Sequence, residues 1–76
     1  MKYQSGEDAK VGDKVRLSDG VEGVVVCSID ADEYTSDYPK TQWSYLKRGI
    51  LIDFEKYGLI HYEMPDPEIE LIGHIL

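Results

Sequence analysis

Two alternating stretches joined by an Asp-Gly dipeptide constrain the fold of this chain more than any other feature. In "KVRLS", apolar residues alternate with polar ones, which is the period-two pattern of a half-buried strand. Asp19-Gly20 favours a tight hairpin turn, and "VEGVVVCSI" follows as the returning strand. Gly23 within that strand indicates a bulge or a close approach of another backbone. The pattern predicts an antiparallel hairpin in residues 11–30.

The rest of the chain predicts three more strands and a short helix. The strands are in "GILIDF", "LIHYEM" and "IELI", and the turns between them are at "EKYG" and "PDPE". Pro39 is suited to the first turn of a short helix through "KTQWSYLKR", with Gly49 as its C-cap. The helix is brief, and a turn of 3₁₀ helix is the alternative.

These elements predict a single domain over all 76 residues, because a chain of this length is near the lower limit for independent folding. We expect a mainly-β fold, a small SH3-like five-stranded antiparallel barrel closed by a short helical lid that carries Trp43 and Leu46. The expected segments are a polar lead-in at 1–10, the first hairpin at 11–30, an acidic and aromatic loop with the short helix at 31–49, and the remaining strands and tail at 50–76.

Composition narrows the class of protein. The single cysteine excludes an internal disulfide framework, and its valine neighbours predict that Cys27 is a small buried apolar residue. The start "MKYQSGEDAK" has no apolar core of a signal peptide, and no apolar run approaches the ~20 residues that cross a membrane. We therefore expect a cytoplasmic protein.

The formal net charge is −7, from fifteen acidic and eight basic residues. Four acidic residues and no base lie between Asp30 and Asp37, and no Lys or Arg follows Lys56. Such a charge repels nucleic acid and anionic lipid, and it favours encounter with basic partners.

The sequence contains no strong match to a metal-binding or catalytic motif. Counted from Asp30, the sixth and twelfth positions of a calcium loop would be Thr35 and Thr41, where glycine and glutamate are needed. One cysteine and two distant histidines do not supply a zinc site. Cys27 with His61 is the one nucleophile–base pair worth testing, and the surrounding valines disfavour its thiolate. We expect no cofactor, no metal and no enzyme activity.

The stretch "DADEYTSDYPKTQWSY" combines acidic residues with aromatic ones. Tyr and Trp are enriched at the centres of protein interfaces, and acidic residues steer a basic partner towards them. We expect Trp43 and Leu46 to pack inward while residues 30–38 face a partner. The predicted partner-binding residues are Asp30, Asp32, Glu33, Tyr34, Asp37 and Tyr38, with a second acidic patch of Glu63, Asp66 and Glu68.

The stretch "VGDKVRLSDGVEGVVV" resembles the first hairpin of SH3-like barrels, including the KOW type. Those hairpins share a G-D-x-V strand, a loop containing glycine and a following G-x-V. KOW modules usually meet RNA or ribosomal proteins through basic residues. Here only Lys14 and Arg16 are basic, and they are set against Asp13, Asp19 and Glu22, so nucleic-acid binding is the weakest of the candidate functions.

The longer run "GDKVRLSDGVEGVVVCSIDADEYTSDYPKTQWSYLKRGILI", followed by "GLIHYEMPD", resembles a family of small acidic, uncharacterised bacterial proteins. Such proteins lie near secreted polymorphic toxins, where small acidic chains serve as immunity proteins. The resemblance implies a protein-binding inhibitor that occludes the active site or substrate groove of a basic toxin or enzyme domain. The alternative is a non-catalytic SH3-like adaptor that binds a peptide or an enzyme complex. Whether the apolar tail "IELIGHIL" pairs with a second copy or closes the barrel stays open.

Overall fold

The computed structural model describes residues 2–64 and 66–74, and one antiparallel sheet of five strands forms its centre. The strands lie in the order β4-β3-β2-β1-β5, so that the first four form a meander and the fifth returns beside the first. A short helix and a 3₁₀ turn lie between β2 and β3. The elements are β1 Asp13–Arg16, β2 Glu22–Ser28, helix α1 Lys40–Trp43, the 3₁₀ helix Ser44–Leu46, β3 Ile50–Phe54, β4 Gly58–Tyr62 and β5 Glu70–His74.

The predicted first hairpin is formed by β1 and β2, with Val15 opposite Gly23. Its loop holds three residues rather than two, because the N–H of Leu17 donates to the carbonyl of Val21 over 2.8 Å. The N–H of Gly20 donates back to Leu17, and Gly20 has a φ of 91°, which glycine adopts without steric penalty. The Asp-Gly dipeptide therefore marks the turn, as predicted, within a slightly longer loop.

Gly23 allows a close approach of β3. A Cβ at this position would lie 2.6 Å from Cδ1 of Phe54 and 3.0 Å from the carbonyl oxygen of Asp53. The predicted close approach is confirmed. The bulge of β2 lies further along the strand, between Val25 and Cys27.

The main core covers one face of the sheet. Ile50, Ile52 and Phe54 of β3 point into it, as their alternation predicts. Its other buried members come from the N-terminal segment, β1, β2 and the residue before β5. They are Tyr3, Ala9, Val15, Val25 and Ile69, with Leu17, Val21, Ile60, Tyr62 and Leu71 packed against them.

A second, smaller cluster lies on the opposite face of β2 and β3. Leu51 points to it, between the two core isoleucines of its strand. Val25 and Cys27 are two residues apart, yet Val25 joins the main core and Cys27 the second cluster. The bulge accounts for this difference, because an extra residue in one strand reverses the alternation beyond it.

The N-terminal segment contributes to the core, although its polar composition predicts a lead-in. It folds back on itself, with the N–H of Tyr3 donating to the carbonyl of Glu7 over 2.9 Å. Tyr3 and Ala9 are buried in the main core. The hydroxyl of Tyr3 donates to the carboxylate of Asp13 over 2.7 Å, so a polar interaction holds the segment to β1.

Asp13 is 1% exposed and is surrounded by donors. One carboxylate oxygen accepts from the Tyr3 hydroxyl and from the N–H of Lys10 at 2.9 Å. The other lies 2.6 Å from Nδ1 of His74 in β5. A buried carboxylate needs such partners, because burial of a charge without them costs several kcal/mol.

The expected mainly-β fold, with five antiparallel strands and a short helical segment, is confirmed. Closure into a barrel is not, because β4 and β5 are the two edges of the sheet and no pairing joins them in the described ranges. The helical segment begins after Pro39, as predicted, and comprises one turn of α-helix and one of 3₁₀ helix. It ends at Lys47, which has a φ of 71°, rather than at Gly49.

Residue 65, which begins "PDPE", and residues 75–76 of the tail lie outside the described residues. Among the residues that are described, no helix has the length and apolar character needed to cross a membrane.

We expect Gly23→Ala to lower the free energy of unfolding by about 1–3 kcal/mol, because the new methyl group would press on the ring of Phe54 and on backbone. Gly73→Ala in β5 is the matched control. No atom lies within 4 Å of a Cβ there, so its effect should stay within about 0.5 kcal/mol. Urea unfolding of both variants measures the difference, and equal effects would contradict the close approach at Gly23.

The buried hydroxyl of Tyr3, which donates to Asp13, predicts that the protein loses stability at alkaline pH. Burial, followed by the hydrogen bond to Asp13, raises the pKa of Tyr3 well above its ordinary value of 10.0. Above about pH 10 the unfolded chain releases the Tyr3 proton while the folded chain keeps it. The unfolded state then binds fewer protons, so the free energy of unfolding falls as the pH rises.

We expect the wild type to lose more stability than Tyr3→Phe between about pH 8 and pH 11, because the variant lacks the titrating hydroxyl. Urea unfolding at both pH values gives the two losses, and the remaining tyrosines contribute equally to each protein. Equal losses would show that the fold does not hold the Tyr3 proton.

Candidate functional site

The acidic and aromatic segment 30–38 is held on the outer face of β2 by backbone and side-chain hydrogen bonds. Ser28 and Glu33 exchange two backbone hydrogen bonds, at 2.8 and 2.9 Å. The hydroxyl of Thr35 donates to the carbonyl of Val26 over 2.9 Å, where the bulge leaves that residue outside the ladder. Thr35 also bridges to Tyr38 across a tight turn. The segment is therefore fixed to the sheet although it lies outside the named strands and helices.

Three of the four predicted acidic residues in this segment have contacts within the chain. A carboxylate oxygen of Asp30 accepts from the N–H of Gly49 at 3.0 Å. Asp32, which has a φ of 55°, pairs with Lys40 of the short helix at 3.0 Å. Glu33 accepts a long hydrogen bond of 3.4 Å from the N–H of Val11. These acids stabilise the loop as well as charging its surface.

Asp37 differs from the other three. It is exposed, and no hydrogen bond or ion pair involves its side chain in the described part of the chain. Among the predicted acids of this segment, it is the one whose charge is directed only at solvent.

The aromatic residues form a row across the second cluster. Tyr34, Tyr38 and Trp43 are half-buried and pack against the buried group of Cys27, Ile29 and Leu51. The ring centroid of Trp43 lies 6.1 Å from that of Tyr38 and 6.4 Å from that of Tyr45. Tyr45 stacks on Trp43 and is 68% exposed.

The expected inward packing of Trp43 and Leu46 is therefore seen, on the outer face of β2 and β3 rather than over the end of a barrel. Nε1 of Trp43 is buried and has no acceptor within the described residues, which costs stability because an unpaired N–H loses its hydration. Tyr45 is the aromatic side chain that this row leaves open to a partner.

The second predicted acidic patch is divided between two neighbourhoods. Glu63 pairs with Arg48 at 3.5 Å, beside the residue whose N–H binds Asp30. Asp66 accepts from the N–H of Glu68 at 2.9 Å, and Glu68 accepts from the hydroxyl of Ser18 at 3.2 Å. Glu68 therefore contacts the loop of the first hairpin.

That hairpin loop also makes a side-chain contact that the sequence does not predict. The hydroxyl of Tyr57, in the turn after β3, donates to Asp19. This hydrogen bond, followed by one from Val21, lowers the pKa of Asp19 below its ordinary value. A cross-chain contact of this kind has no signal in local spacing, because 38 positions separate the two residues.

A shallow depression of about 290 Å³ lies beside the segment. Asp30 and Glu33 line one side of it, and Asp8, Ala9 and Lys10 of the N-terminal segment line the other. The acidic loop and the folded-back N-terminus therefore form one continuous surface.

Cys27 and His61 do not form a nucleophile–base pair. Both lie opposite Leu51, on either side of β3, so two strand spacings of roughly 10 Å separate their backbones. Nε2 of His61 donates to the carbonyl of Arg48 over 2.8 Å. The predicted burial of Cys27 is confirmed, and burial raises the pKa of its thiol.

Within residues 2–64 and 66–74, no group of three or more His, Cys, Asp or Glu side chains is placed to hold a metal ion. Comparison of the chain with family models, with curated proteins and with solved structures gave no match.

We expect the thiol of Cys27 to react with a disulfide reagent at least roughly a hundredfold more slowly in the folded protein than in denaturant, because it is buried and its thiolate is disfavoured. Absorbance of the released thiolate measures both rates. Rapid reaction in the folded state would contradict the packing of the second cluster and would reopen a catalytic role for this cysteine.

Proposed function

We propose that this protein is a non-catalytic inhibitor that binds a basic protein, in the manner of an immunity protein that neutralises a basic toxin. The observation that carries the proposal is the placement of its charge. Asp13 is the one acidic residue buried among those described, so the charge behind the net −7 is at the surface. A surface field of this sign steers basic partners and repels nucleic acid.

The contact surface in this proposal is the acidic–aromatic face, defined as Asp30, Asp32, Glu33, Tyr34, Asp37, Tyr38, Trp43 and Tyr45. Half-buried rings and acidic residues occur together in this face, and protein interfaces usually combine aromatic anchors with a polar rim. Tyr45 and Asp37 are both exposed, and no hydrogen bond or ion pair involves the Asp37 side chain within the described residues.

The loop contacts support tight binding because they order the face before the partner arrives. The Asp32–Lys40 ion pair, the Thr35 hydrogen bond to Val26 and the Ser28–Glu33 pairing fix the loop in the free protein. A preordered surface loses less conformational entropy on binding. Inhibition would then follow from steric blockade and from acidic side chains occupying the position of an anionic substrate.

For the fold, we infer an SH3-like type. A meander of four strands with a fifth returning beside the first supports this inference, as do the bulges in β2 and at the β1–β5 pairing. SH3-like folds host many unrelated activities, so the fold carries no weight in the argument for inhibition.

A second candidate is an adaptor that binds a peptide without inhibiting anything. The stacked pair of Trp43 and exposed Tyr45 favours it, because such rings bind extended peptides through apolar contact. In an adaptor, affinity depends mainly on the aromatic residues. In an inhibitor of a basic protein, the acidic residues contribute as well.

Gentle purification of the tagged protein from its own cells, followed by mass spectrometry, identifies the partner. We expect one stoichiometric basic protein that is toxic when produced alone and harmless when produced together with this chain. Recovery of a complex without such a protein would favour the adaptor, and recovery of no partner would contradict both proposals.

With the partner in hand, we expect Asp37→Lys and Tyr45→Ser each to weaken binding by roughly tenfold, because each removes a contact of the acidic–aromatic face. Glu55→Lys is the matched control, since it makes the same charge change at the opposite end of β3 from this face. Titration calorimetry gives the three affinities. Equal weakening by Asp37→Lys and Glu55→Lys would show that net charge alone, and not this face, decides binding.

A further inference from the structure

Most of the large apolar side chains that the fold leaves exposed lie in β4 or next to it in the chain. Four such residues are exposed in the described chain, and three of them lie in β4 or just beyond its ends. Tyr57 precedes the strand, Leu59 is within it, and Met64 follows it, with exposures of 47%, 37% and 75%. The fourth, Tyr45, belongs to the acidic–aromatic face.

The two edges of the sheet differ in how they are protected. At β5, the pairing with β1 shifts register between Lys14 and Val15, and Glu70 pairs with Arg16 across the same two strands. Bulges and charges of this kind discourage pairing with another strand. At β4, five consecutive residues pair with β3 without a shift, and the strand "GLIHY" contains no charged residue and no proline.

An uncharged and regular edge is a template for another strand, because its outward N–H and C=O groups have no partner within the sheet. We propose that β4 pairs with β4 of a second copy of this chain, in antiparallel orientation about a two-fold axis at Ile60. The two sheets would then join into one continuous sheet, with both copies using the same surface.

This register makes the strand complementary to itself. Ile60 lies opposite Ile60 of the second copy, and Leu59 lies opposite His61. Gly58 lies opposite Tyr62, so that an aromatic ring covers the glycine that has no side chain of its own. No charged residue faces a like charge along the five pairs.

The residues that flank β4 carry both signs of charge. Lys56 precedes β4 and Glu63 follows it, so antiparallel pairing brings the Lys56 end of one copy to the Glu63 end of the other. Lys56 makes no ion pair within the described residues, and its Nζ lies 5.8 Å from the ring centroid of Tyr57. Glu63 also pairs with Arg48 of its own chain at 3.5 Å, and Glu55 lies beside Lys56, so the ends of the seam carry both signs of charge.

A second copy fits this edge better than the basic partner of the acidic–aromatic face. A basic protein is attracted to acidic surface, and β4 itself has none. The proposed dimer therefore does not depend on the proposed function, and the two fail independently.

Sedimentation equilibrium over about 10 µM to 1 mM protein tests the association, because a five-residue seam is small compared with stable interfaces. We expect reversible dimers, with Leu59→Lys and Met64→Lys each raising the dissociation constant at least about tenfold by placing charge at the seam. Tyr45→Lys is the matched control and should leave the constant unchanged. Circular dichroism checks that each variant folds. Met64 lies outside β4, so Met64→Lys leaves the sequence of the strand unchanged.

Amide hydrogen exchange locates the seam. The N–H groups of β4 that point away from β3 should become protected as the concentration rises in the wild type, and not in Met64→Lys. A wild type that stays monomeric at the highest concentration would overturn the proposal. So would a dimer that both Lys variants leave intact, or protection that appears at β5 instead.

Discussion

A buried carboxylate in the first strand ties the N-terminal segment to the sheet and adds a side-chain link between β1 and β5. Asp13 accepts hydrogen bonds from Tyr3 and Lys10 of the N-terminal segment and from His74 of β5. Within residues 2–64 and 66–74, β1 is the only strand that pairs with β5, and the N-terminal segment contains no strand. Asp13 is 1% exposed, and burying its carboxylate without hydrogen-bond donors would cost free energy. The three donors and Asp13 therefore fix each other's positions.

The bulge in β2 determines where the acidic–aromatic segment packs. It directs Cys27 to the outer face, where Leu51 and Ile29 complete an apolar patch that needs a cover. Residues 30–49 provide the cover, so the half-buried rings of Tyr34, Tyr38 and Trp43 stabilise the fold. In the proposed interface, half-buried rings that pack on the second cluster would also contact the partner, whereas Asp37 and Tyr45 are exposed.

The two proposed contact surfaces follow from different properties of the sheet. The acidic–aromatic face lies over the strands and is charged, whereas the β4 edge runs along the outermost strand and is uncharged. In the two proposals, a basic partner and a second copy would therefore bind different surfaces, because the surfaces differ in charge. Both surfaces would be available at once, since no residue belongs to both.

The sequence by itself determined the strands, the hairpin loop at Asp19-Gly20, the short helix after Pro39 and the burial of Cys27. These depend on alternation, turn chemistry and local apolarity, which act over a few neighbouring residues. Only the tertiary structure decided that Tyr3 belongs to the core, that the acids of residues 30–33 have partners within the chain, and that no pairing joins β4 to β5 in the described residues. Those features join residues far apart in sequence, and the position of a bulge or a donor across the fold has no signature in local spacing.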